Sequence, residues 1–209
     1  MTRVLVTGFE PFDGSPVNAS WEAVQLLAER WDGDAELVIR ELPVAFGSAG
    51  TRLMGHLAFH TPDAVVATGV APGRRELSVE RLAVNLRDAG IPDNRGHQPR
   101  DELVISDGPA AYWSTLPVSQ IVHVLREARL PASASLSAGS FVCNDTFFTL
   151  QHAVATVDVP AGFVHVPAIA GMNLGAEVPT MDVEEIALGL AIAVDVTLNS
   201  MRNNNEETA

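Results

Sequence analysis

The stretch Ala138–Phe148, AGSFVCNDTFF, holds the only cysteine of the 209-residue chain, Cys143. A run of small residues, Ala132 to Ser140, comes before the cysteine, and a segment with helical apolar spacing follows it. This pattern predicts a strand, a tight turn at Gly139-Ser140 and a helix whose first turn contains Cys143. We expect the rest of the chain to be organised around this strand–turn–helix unit.

The chemistry of Cys143 has two interpretations at this point. A lone thiol cannot form an internal disulfide, so Cys143 is either a small buried core residue or a reactive nucleophile. Free cysteines are among the residues most often buried, which favours the first interpretation. At a helix start, however, free N–H groups and the helix dipole favour a thiolate, and the same N–H groups can hold an oxyanion. Position alone leaves both interpretations open.

The first third of the chain alternates between strand and helix patterns. Short β-branched runs predict strands, and the amphipathic segments between them predict helices, the first capped by Ser20. In chain order they are Arg3–Gly8, Ser20–Arg30, Glu36–Leu42, Phe46–His60 and Ala64–Gly69. This order predicts an α/β fold, a single-domain three-layer α/β/α structure with a mainly parallel twisted sheet.

Length and composition suggest one domain. A chain with 47% hydrophobic residues can bury one substantial core, so we expect a single catalytic domain over residues 1–202 and a flexible C-terminal tail over 203–209. Arg87–Glu102 is polar and rich in Pro, Gly, Asp and Asn, which predicts a long, mobile surface loop.

Charge and composition exclude several classes of function. A net charge of −13 repels nucleic acid and anionic membranes, so neither is an expected partner. All 13 basic residues are arginine, which excludes a P-loop lysine and a Schiff-base lysine. No apolar run approaches the ~20 residues that a bilayer requires. With one cysteine and no signal-peptide pattern, we expect a cytoplasmic protein.

A cysteine nucleophile needs a base, and the chain has six histidines. His56 and His60 have the spacing of a metal pair on a helix, but no third ligand is evident, so we expect no metal. His165 interrupts an apolar run near the carboxyl end of a predicted strand, where ligands bind in parallel sheets. Since Cys143 follows the end of the preceding strand, two neighbouring strand ends would bring thiol and imidazole together. A hydrogen-bonded core histidine is the alternative.

Three segments carry a specific resemblance. They are Ala71-Pro72-Gly73-Arg74 followed by Glu80-Arg81 and Asn85, then Ser137–Asn144 (SAGSFVCN), then Gly162–Pro167 (GFVHVP). Supporting segments are Gly8–Phe12 with Asn18 and Ser20, Ile91–Asn94, and Asp107–Tyr112. In these segments and their order, the chain resembles the pyroglutamyl peptidases (pyrrolidone-carboxylate peptidases), the cysteine peptidase family C15.

The resemblance implies an enzyme that removes an N-terminal pyroglutamyl residue from peptides, with Glu80, Cys143 and His165 as a catalytic triad. The pocket for the pyroglutamyl ring would be lined by Phe9, Phe12, Asn18, Val70, Ile91, Phe141 and Val142. Such a ring is a flat, uncharged lactam, which suits apolar walls with a few polar groups. Core packing is the other interpretation of Phe9 and Phe12. The expected partners are small peptides that begin with pyroglutamate, and the family commonly forms homodimers or homotetramers.

The implied mechanism begins with attack of the Cys143 thiolate on the exocyclic carbonyl of pyroglutamate. Backbone N–H groups at the helix start would hold the oxyanion, and His165, oriented by Glu80, would protonate the departing amine. Water would then hydrolyse the thioester, so no metal or organic cofactor is required.

Two residues depart from the family pattern, and other functions stay open. Gly90 stands where many members carry arginine, and Ala19 follows Asn18 where proline is usual. We therefore expect backbone N–H groups, rather than a side chain, to hold the oxyanion. A cysteine amidase acting on another small amide or lactam is one alternative. A non-catalytic small-molecule binding protein with an inert cysteine is another.

Overall fold

The structure, a computed structural model, describes residues 1–207 of the chain. Its elements, in chain order, are β1 (Arg3–Phe9), α1 (Ala19–Arg30), β2 (Glu36–Leu42), α2 (Ser48–His60), β3 (Ala64–Val70), β4 (Leu77–Glu80), β5 (Leu82–Val84), β6 (Ala111–Trp113), α3 (Val118–Glu127), β7 (Ala132–Ser135), α4 (Val142–Val154), β8 (Ala161–Val166) and α5 (Val183–Glu207). The α/β alternation predicted for the first third of the chain is confirmed.

Six strands form the central sheet, in the order β2-β1-β3-β8-β4-β7. The first four are parallel to one another, and β1, β3 and β8 are buried along nearly their whole length. Strand β4 runs antiparallel to β8, and β7 is parallel to β4. Strands β5 and β6 form a separate antiparallel pair. The sheet is thus mainly parallel, as predicted, and changes direction between β8 and β4.

Helices cover both faces of the sheet. One core packs α1, α3 and α5 against a face formed by Val4, Val6 and Val66. The other packs α2 and α4 against the opposite face, which includes Leu5 and Phe163. Because strand side chains alternate between faces, His165 shares the face of Phe163, beneath α4. The three-layer α/β/α prediction is confirmed.

Two predictions at helix ends are corrected. Asn18, rather than Ser20, caps α1, because the Asn18 side chain accepts a hydrogen bond from the Ser20 N–H at 3.0 Å. Helix α5 continues to Glu207, so residues 203–207 are helical where a flexible tail was predicted, and no Gly or Pro interrupts them. Residues 208 and 209 of that tail lie outside the described residues. The single-domain boundary at residue 202 stays a prediction.

The segment Arg87–Glu102, predicted to be mobile, is held by hydrogen bonds from end to end. Its two terminal residues pair through their backbones at 2.7 and 3.0 Å. Buried Asp93 accepts hydrogen bonds from the N–H groups of Arg95 and His97 at 2.8 and 2.9 Å, and from Phe46 at 2.8 Å. A buried carboxylate saturated by backbone donors fixes the loop against the start of α2. No helix within residues 1–207 is long and apolar enough to cross a membrane.

Candidate active site

Cys143 is the second residue of α4, as the strand–turn–helix prediction requires. Gly139 has a φ of +76°, a left-handed conformation that glycine adopts without strain and that turns the chain before the helix. Phe141 is the N-cap, and the first N–H to bond within the helix is that of Asp145, which donates to the Phe141 carbonyl at 3.1 Å. The N–H groups of residues 142–144 therefore lack intrahelical acceptors and can hold an anion.

The thiol lies against Gly69 of β3. A β-carbon built on Gly69 would be 2.7 Å from Cys143 Sγ and 2.9 Å from Phe163 Cζ, so only a glycine leaves room for the sulfur. Gly69 pairs with His165 in the parallel register of β3 and β8, which places thiol and imidazole on the same face of the sheet.

This arrangement corrects the expectation that two neighbouring strand ends bring Cys143 and His165 together. Strand β4 lies between β7 and β8 and runs antiparallel to β8, so the strand before Cys143 ends away from the carboxyl end of β8. The loop 136–141 returns the chain across the sheet, and α4 begins above β3. The sequence could not reveal the reversal, because β4 is a short strand within an irregular segment.

Glu80 and His165 form a buried hydrogen-bonded pair. They lie diagonally across the antiparallel β4/β8 pair, in which Ser78 is opposite His165 and Glu80 is opposite Phe163. His165 Nδ1 and Glu80 Oε1 are 2.8 Å apart, and the Glu80 side chain is 0% exposed. Arg74 donates to the same oxygen at 2.7 Å. Because Nδ1 is taken by the carboxylate, Nε2 is the nitrogen left to act as a base.

The environment holds Glu80 ionised and His165 neutral. Burial raises the pKa of Glu80, but the hydrogen bond with His165 and smaller contributions from Ser135 and Arg74 bring that pKa below its usual value. Burial lowers the pKa of His165 and outweighs the opposing effect of Glu80. The carboxylate is therefore ready to stabilise an imidazolium that forms only during reaction.

The Cys143 thiol is protonated at rest. The side chain keeps some contact with solvent, yet the packed surroundings raise its pKa to about 12, and the negative charge of Glu80 adds to this effect. Arg74 and the N–H of the helix start oppose the shift without reversing it. The structure thus differs from the expectation that the helix start favours a thiolate, because desolvation is the larger effect.

The residues after Cys143 anchor the start of α4. Asn144 bridges the β5 segment, accepting from the Val84 N–H at 3.0 Å and donating to the Val84 and Leu86 carbonyls, each at 2.9 Å. Buried Asp145 forms a salt bridge with Arg87 and accepts from the Gly47 N–H at 2.9 Å. These bonds fix the helix end, and with it the position of the thiol.

A largely apolar cavity of about 330 Å³ opens beside the thiol, and Cys143 is part of its wall. All residues that the resemblance assigned to the pocket line this one cavity: Phe9, Phe12, Asn18, Val70, Ile91, Phe141 and Val142. The ring centroids of Phe12 and Phe141 are 5.3 Å apart, and the two packed rings form one side of the cavity. The structure therefore brings the predicted pocket residues and the thiol together.

Two of the pocket residues also have structural roles. Phe9 is 2% exposed and belongs to the core between the sheet and α2, so core packing and the cavity both involve this ring. Besides capping α1, Asn18 donates to the Glu10 carbonyl at 2.9 Å. Its amide is thereby held rigidly at the cavity wall, with one N–H left for a ligand.

Sequence reasoning missed part of the cavity wall. The additional lining residues are Asp13, Ser15, Val44, Pro72, Met172 and Leu174. Val44 and Pro72 follow the carboxyl ends of β2 and β3, so the rule that ligands bind beyond such ends could have found them. Met172 and Leu174 come from an irregular segment after β8 that carries no sequence signal for a site.

The remaining charged candidates are engaged elsewhere. Arg95, which lies close to Gly90 in sequence, donates to Ser48 Oγ at 2.7 Å. His60 lies 2.9 Å from an Arg40 nitrogen, and the rings of His56 and His60 are 6.0 Å apart. Within the part of the chain that the structure describes, no three His, Cys, Asp or Glu side chains cluster closely enough to hold a metal ion.

A cysteine at a helix start, a buried histidine–glutamate pair on the same face of the sheet and an adjoining apolar cavity have the chemistry of a cysteine peptidase. The sequence matches the family model for pyroglutamyl peptidase, peptidase family C15, over residues 2–200. The chain belongs to this family, and the resemblance found in the sequence is confirmed.

Individual relatives agree with the family match. The chain is 49% identical over 195 residues to a pyrrolidone-carboxylate peptidase of Pseudomonas fluorescens (strain SBW25), covering 93% of this chain and 92% of the relative. Among solved structures, pyroglutamyl peptidase I of Bacillus amyloliquefaciens superposes with a TM-score of 0.89 at 39% identity, over 94% of this chain and 96% of that one. A mutant pyrrolidone carboxyl peptidase of Pyrococcus furiosus gives 0.91 at 38% identity, over 96% and 100%.

Proposed function

We propose that this chain is a cysteine exopeptidase that hydrolyses the bond after an N-terminal pyroglutamyl residue. One observation carries the proposal: the Cys143 thiol forms part of the wall of the apolar cavity and lies over Gly69, the register partner of His165. A substrate ring held in the cavity would therefore place its exocyclic carbonyl within reach of a thiol that has a base beside it.

The cavity suits a pyroglutamyl ring. The ring is small and uncharged and has no free amine, so its recognition needs apolar contact and a few polar groups. Phe12, Phe141, Val70 and Ile91 supply apolar contact, and Asn18 supplies an amide donor for a lactam oxygen. An N-terminal residue with a charged ammonium would lose much of its hydration against these apolar walls, which disfavours ordinary peptides.

The first chemical step is a proton transfer coupled to attack. The Cys143 thiol gives its proton to Nε2 of neutral His165 as the sulfur attacks the exocyclic carbonyl, and Glu80 stabilises the imidazolium that forms. The backbone N–H groups at the start of α4 receive the developing oxyanion, so no arginine at position 90 is needed. This assignment follows from the raised pKa of the thiol and the lowered pKa of the imidazole.

The later steps return the enzyme to its resting state. The imidazolium of His165 protonates the departing amine, the carbon–nitrogen bond breaks, and a pyroglutamyl thioester remains on Cys143. His165 then takes a proton from water, whose oxygen attacks the thioester, and the released sulfur regains its proton from the imidazolium. Each proton taken is returned, so the triad needs no metal or organic cofactor for these steps.

The proposal also covers the substrates, the assembly and the location of the protein. We expect small peptides that begin with pyroglutamate as substrates and homo-oligomers as the assembled form. A cytoplasmic location follows from the composition, since the only cysteine is a catalytic thiol that must stay reduced.

Release of aniline from a pyroglutamyl anilide tests the proposed function directly. The wild-type protein should hydrolyse this compound and leave the matched prolyl anilide, which has a free ring amine and no ring carbonyl, essentially intact. Cys143→Ala removes the sulfur and adds no atoms, so it should abolish the release of aniline while the protein stays folded. Equal hydrolysis of both anilides would instead indicate an amidase of different specificity, and hydrolysis of neither would indicate a binding protein.

A further inference from the structure

The two carboxylate oxygens of Glu80 are used unequally. Oε1 accepts from His165 at 2.8 Å and from Arg74 at 2.7 Å, whereas Oε2 is buried and has no hydrogen-bond partner among residues 1–207. An ionised oxygen buried without a donor is costly, so a donor within reach of Oε2 would stabilise the carboxylate considerably.

Ser135 is placed to be that donor. It pairs with Glu80 in the parallel register of β4 and β7, so the two side chains stand next to each other on the face beneath α4. Its hydroxyl instead donates to the Ser137 carbonyl and accepts from the Ser137 N–H, both at 3.2 Å, which is long for a hydroxyl hydrogen bond. Rotation about the Cα–Cβ bond would redirect the hydroxyl toward the neighbouring Glu80 side chain, and Ser135 is among the groups that lower the pKa of Glu80.

Arg74 joins the acid to the nucleophile loop. One guanidinium nitrogen donates to Glu80 Oε1, and the other donates to the Ser137 carbonyl at 3.0 Å, in the loop 136–141 that leads to Cys143. The Arg74 side chain is 29% exposed, whereas Glu80 is fully buried, so the guanidinium closes the solvent side of the pair. The same carbonyl receives both Arg74 and Ser135, which makes the three residues one network.

We propose that Arg74 and Ser135 are positioning residues for the reaction: Arg74 holds Glu80 Oε1 beneath His165, and Ser135 supplies the donor for Oε2 as charge develops on the imidazole. The inference rests on the proposed function, because it assigns both residues through their effect on the Glu80–His165 pair. Neither residue lines the substrate cavity, so both should act on kcat rather than on KM.

The charge of Arg74 also sets where the site titrates. Glu80 and Arg74 are the charged groups that act on His165 and on Cys143, and Arg74 lowers the pKa of each. Loss of the guanidinium therefore raises the pKa of His165, and the imidazole is protonated at a higher pH. Since the neutral imidazole is the base, the acid limb of the kcat/KM profile should move to higher pH.

Arg74→Gln tests the inference, with Arg75→Gln as its matched control. Arg75 is the next residue, is exposed, and makes no ion pair in the described part of the chain, so it reports the loss of one positive charge alone. Arg74→Gln should lower kcat for a pyroglutamyl anilide by about 10- to 100-fold, leave KM within about twofold, and move the acid limb to higher pH. Arg75→Gln should behave as wild type.

Arg74→Lys keeps the inference testable if the glutamine variant is unstable. Lysine preserves the charge but cannot contact Glu80 and Ser137 at once, so kcat should fall while the acid limb stays at its wild-type pH. Arg74 variants that match Arg75→Gln in kcat and in pH profile would overturn the role of Arg74.

Ser135→Ala, compared with Ser133→Ala, tests the second residue. Ser133 lies on the same strand and face but pairs with Ser78 rather than with Glu80. Ser135→Ala should lower kcat by about tenfold, Ser133→Ala should not, and Ser135→Thr, which keeps the hydroxyl, should restore most of the rate. Equal rates for the two alanine variants would overturn the role of Ser135. A wild-type protein that releases no aniline would count against the proposed function, whereas an active wild type with indifferent variants would count against this inference alone.

Discussion

Gly69 and Cys143 are in direct contact, and no side chain fits between them. A β-carbon at Gly69 would lie 2.7 Å from Cys143 Sγ, so one of the two residues would have to move. The absence of a side chain on β3 is what allows α4 to bring its thiol down onto the sheet, level with His165. The position of the nucleophile therefore depends on a strand residue far from it in sequence.

Gly69→Ala should impair catalysis much more than folding. The added methyl group displaces the sulfur or the Phe163 ring, and misplacing a reacting atom by about 1 Å can cost on the order of 100-fold in kcat/KM. Steady-state kinetics with a pyroglutamyl anilide, alongside thermal unfolding, measures both effects. Gly55→Ala is the matched control, because its β-carbon meets open space. Wild-type kinetics in Gly69→Ala would show that the thiol does not need this contact.

Alkylation of Cys143 should be slow at neutral pH. Its rate should keep rising at pH values where an ordinary thiol, with a pKa of ~8.5, is already fully ionised. The reason is the pKa of about 12 that burial and Glu80 impose on the resting thiol. Iodoacetamide labels one site only, because the chain has a single cysteine.

Glu80→Gln should change the alkylation rate of Cys143 in a defined direction. Removing the negative charge lowers the pKa of Cys143, so alkylation at about pH 9 should become faster even as hydrolysis becomes slower by orders of magnitude. Glu76→Gln serves as the control for a nearby carboxylate. A labelling rate that already levels off near neutral pH, or slower labelling in Glu80→Gln, would contradict the neutral thiol–imidazole pair.

Phe12→Ala should raise KM for a pyroglutamyl substrate with little change in kcat. The ring is half-buried at the cavity wall against Phe141, and its loss removes aromatic contact of about 1–2 kcal/mol, equivalent to about 5- to 30-fold in affinity. Phe59→Ala, which removes an exposed ring on α2, is the control. An unchanged KM in Phe12→Ala would assign this ring to packing of the loop alone.

Arg87→Ala should lower the free energy of unfolding by about 3–5 kcal/mol, because it leaves Asp145 as a buried carboxylate without its ion partner. Arg100→Ala breaks an exposed pair with Asp88 in the same loop and should cost about 0–1 kcal/mol. Denaturant titration of the two variants gives the comparison. Equal losses would mean that the Asp145 contact contributes no more than a surface pair.

The sequence was most informative where chemistry and periodicity coincide. The apolar runs of β1, β3 and β8 and the small-residue turn before α4 each determine local structure through nearby residues, so the three layers and the helix start at Cys143 could be predicted. The pocket residues could be assigned only through the family resemblance, since isolated phenylalanines and valines are typical of any core.

What could not be predicted depends on contacts between distant segments. The reversed direction of β4 arises from its pairing with β8 and β7, and four residues in an irregular region carry no signal of strand direction. The raised pKa of Cys143 is likewise a tertiary effect, because the helix start that favours a thiolate is a local feature and the desolvation that opposes it is not. The order of the loop 87–102 is also a tertiary effect, because Asp93 in this loop accepts a hydrogen bond from the distant Phe46 N–H.

During turnover, Cys143 should carry a pyroglutamyl group as a thioester. Acid quenching of the wild-type protein within the first turnover of a pyroglutamyl anilide, followed by mass spectrometry, measures this intermediate. We expect an added mass of one pyroglutamyl group on the peptide that contains Cys143, and no such added mass in Cys143→Ala. An active wild type with no adduct on that peptide, together with a Cys143→Ala variant that still releases aniline, would contradict it.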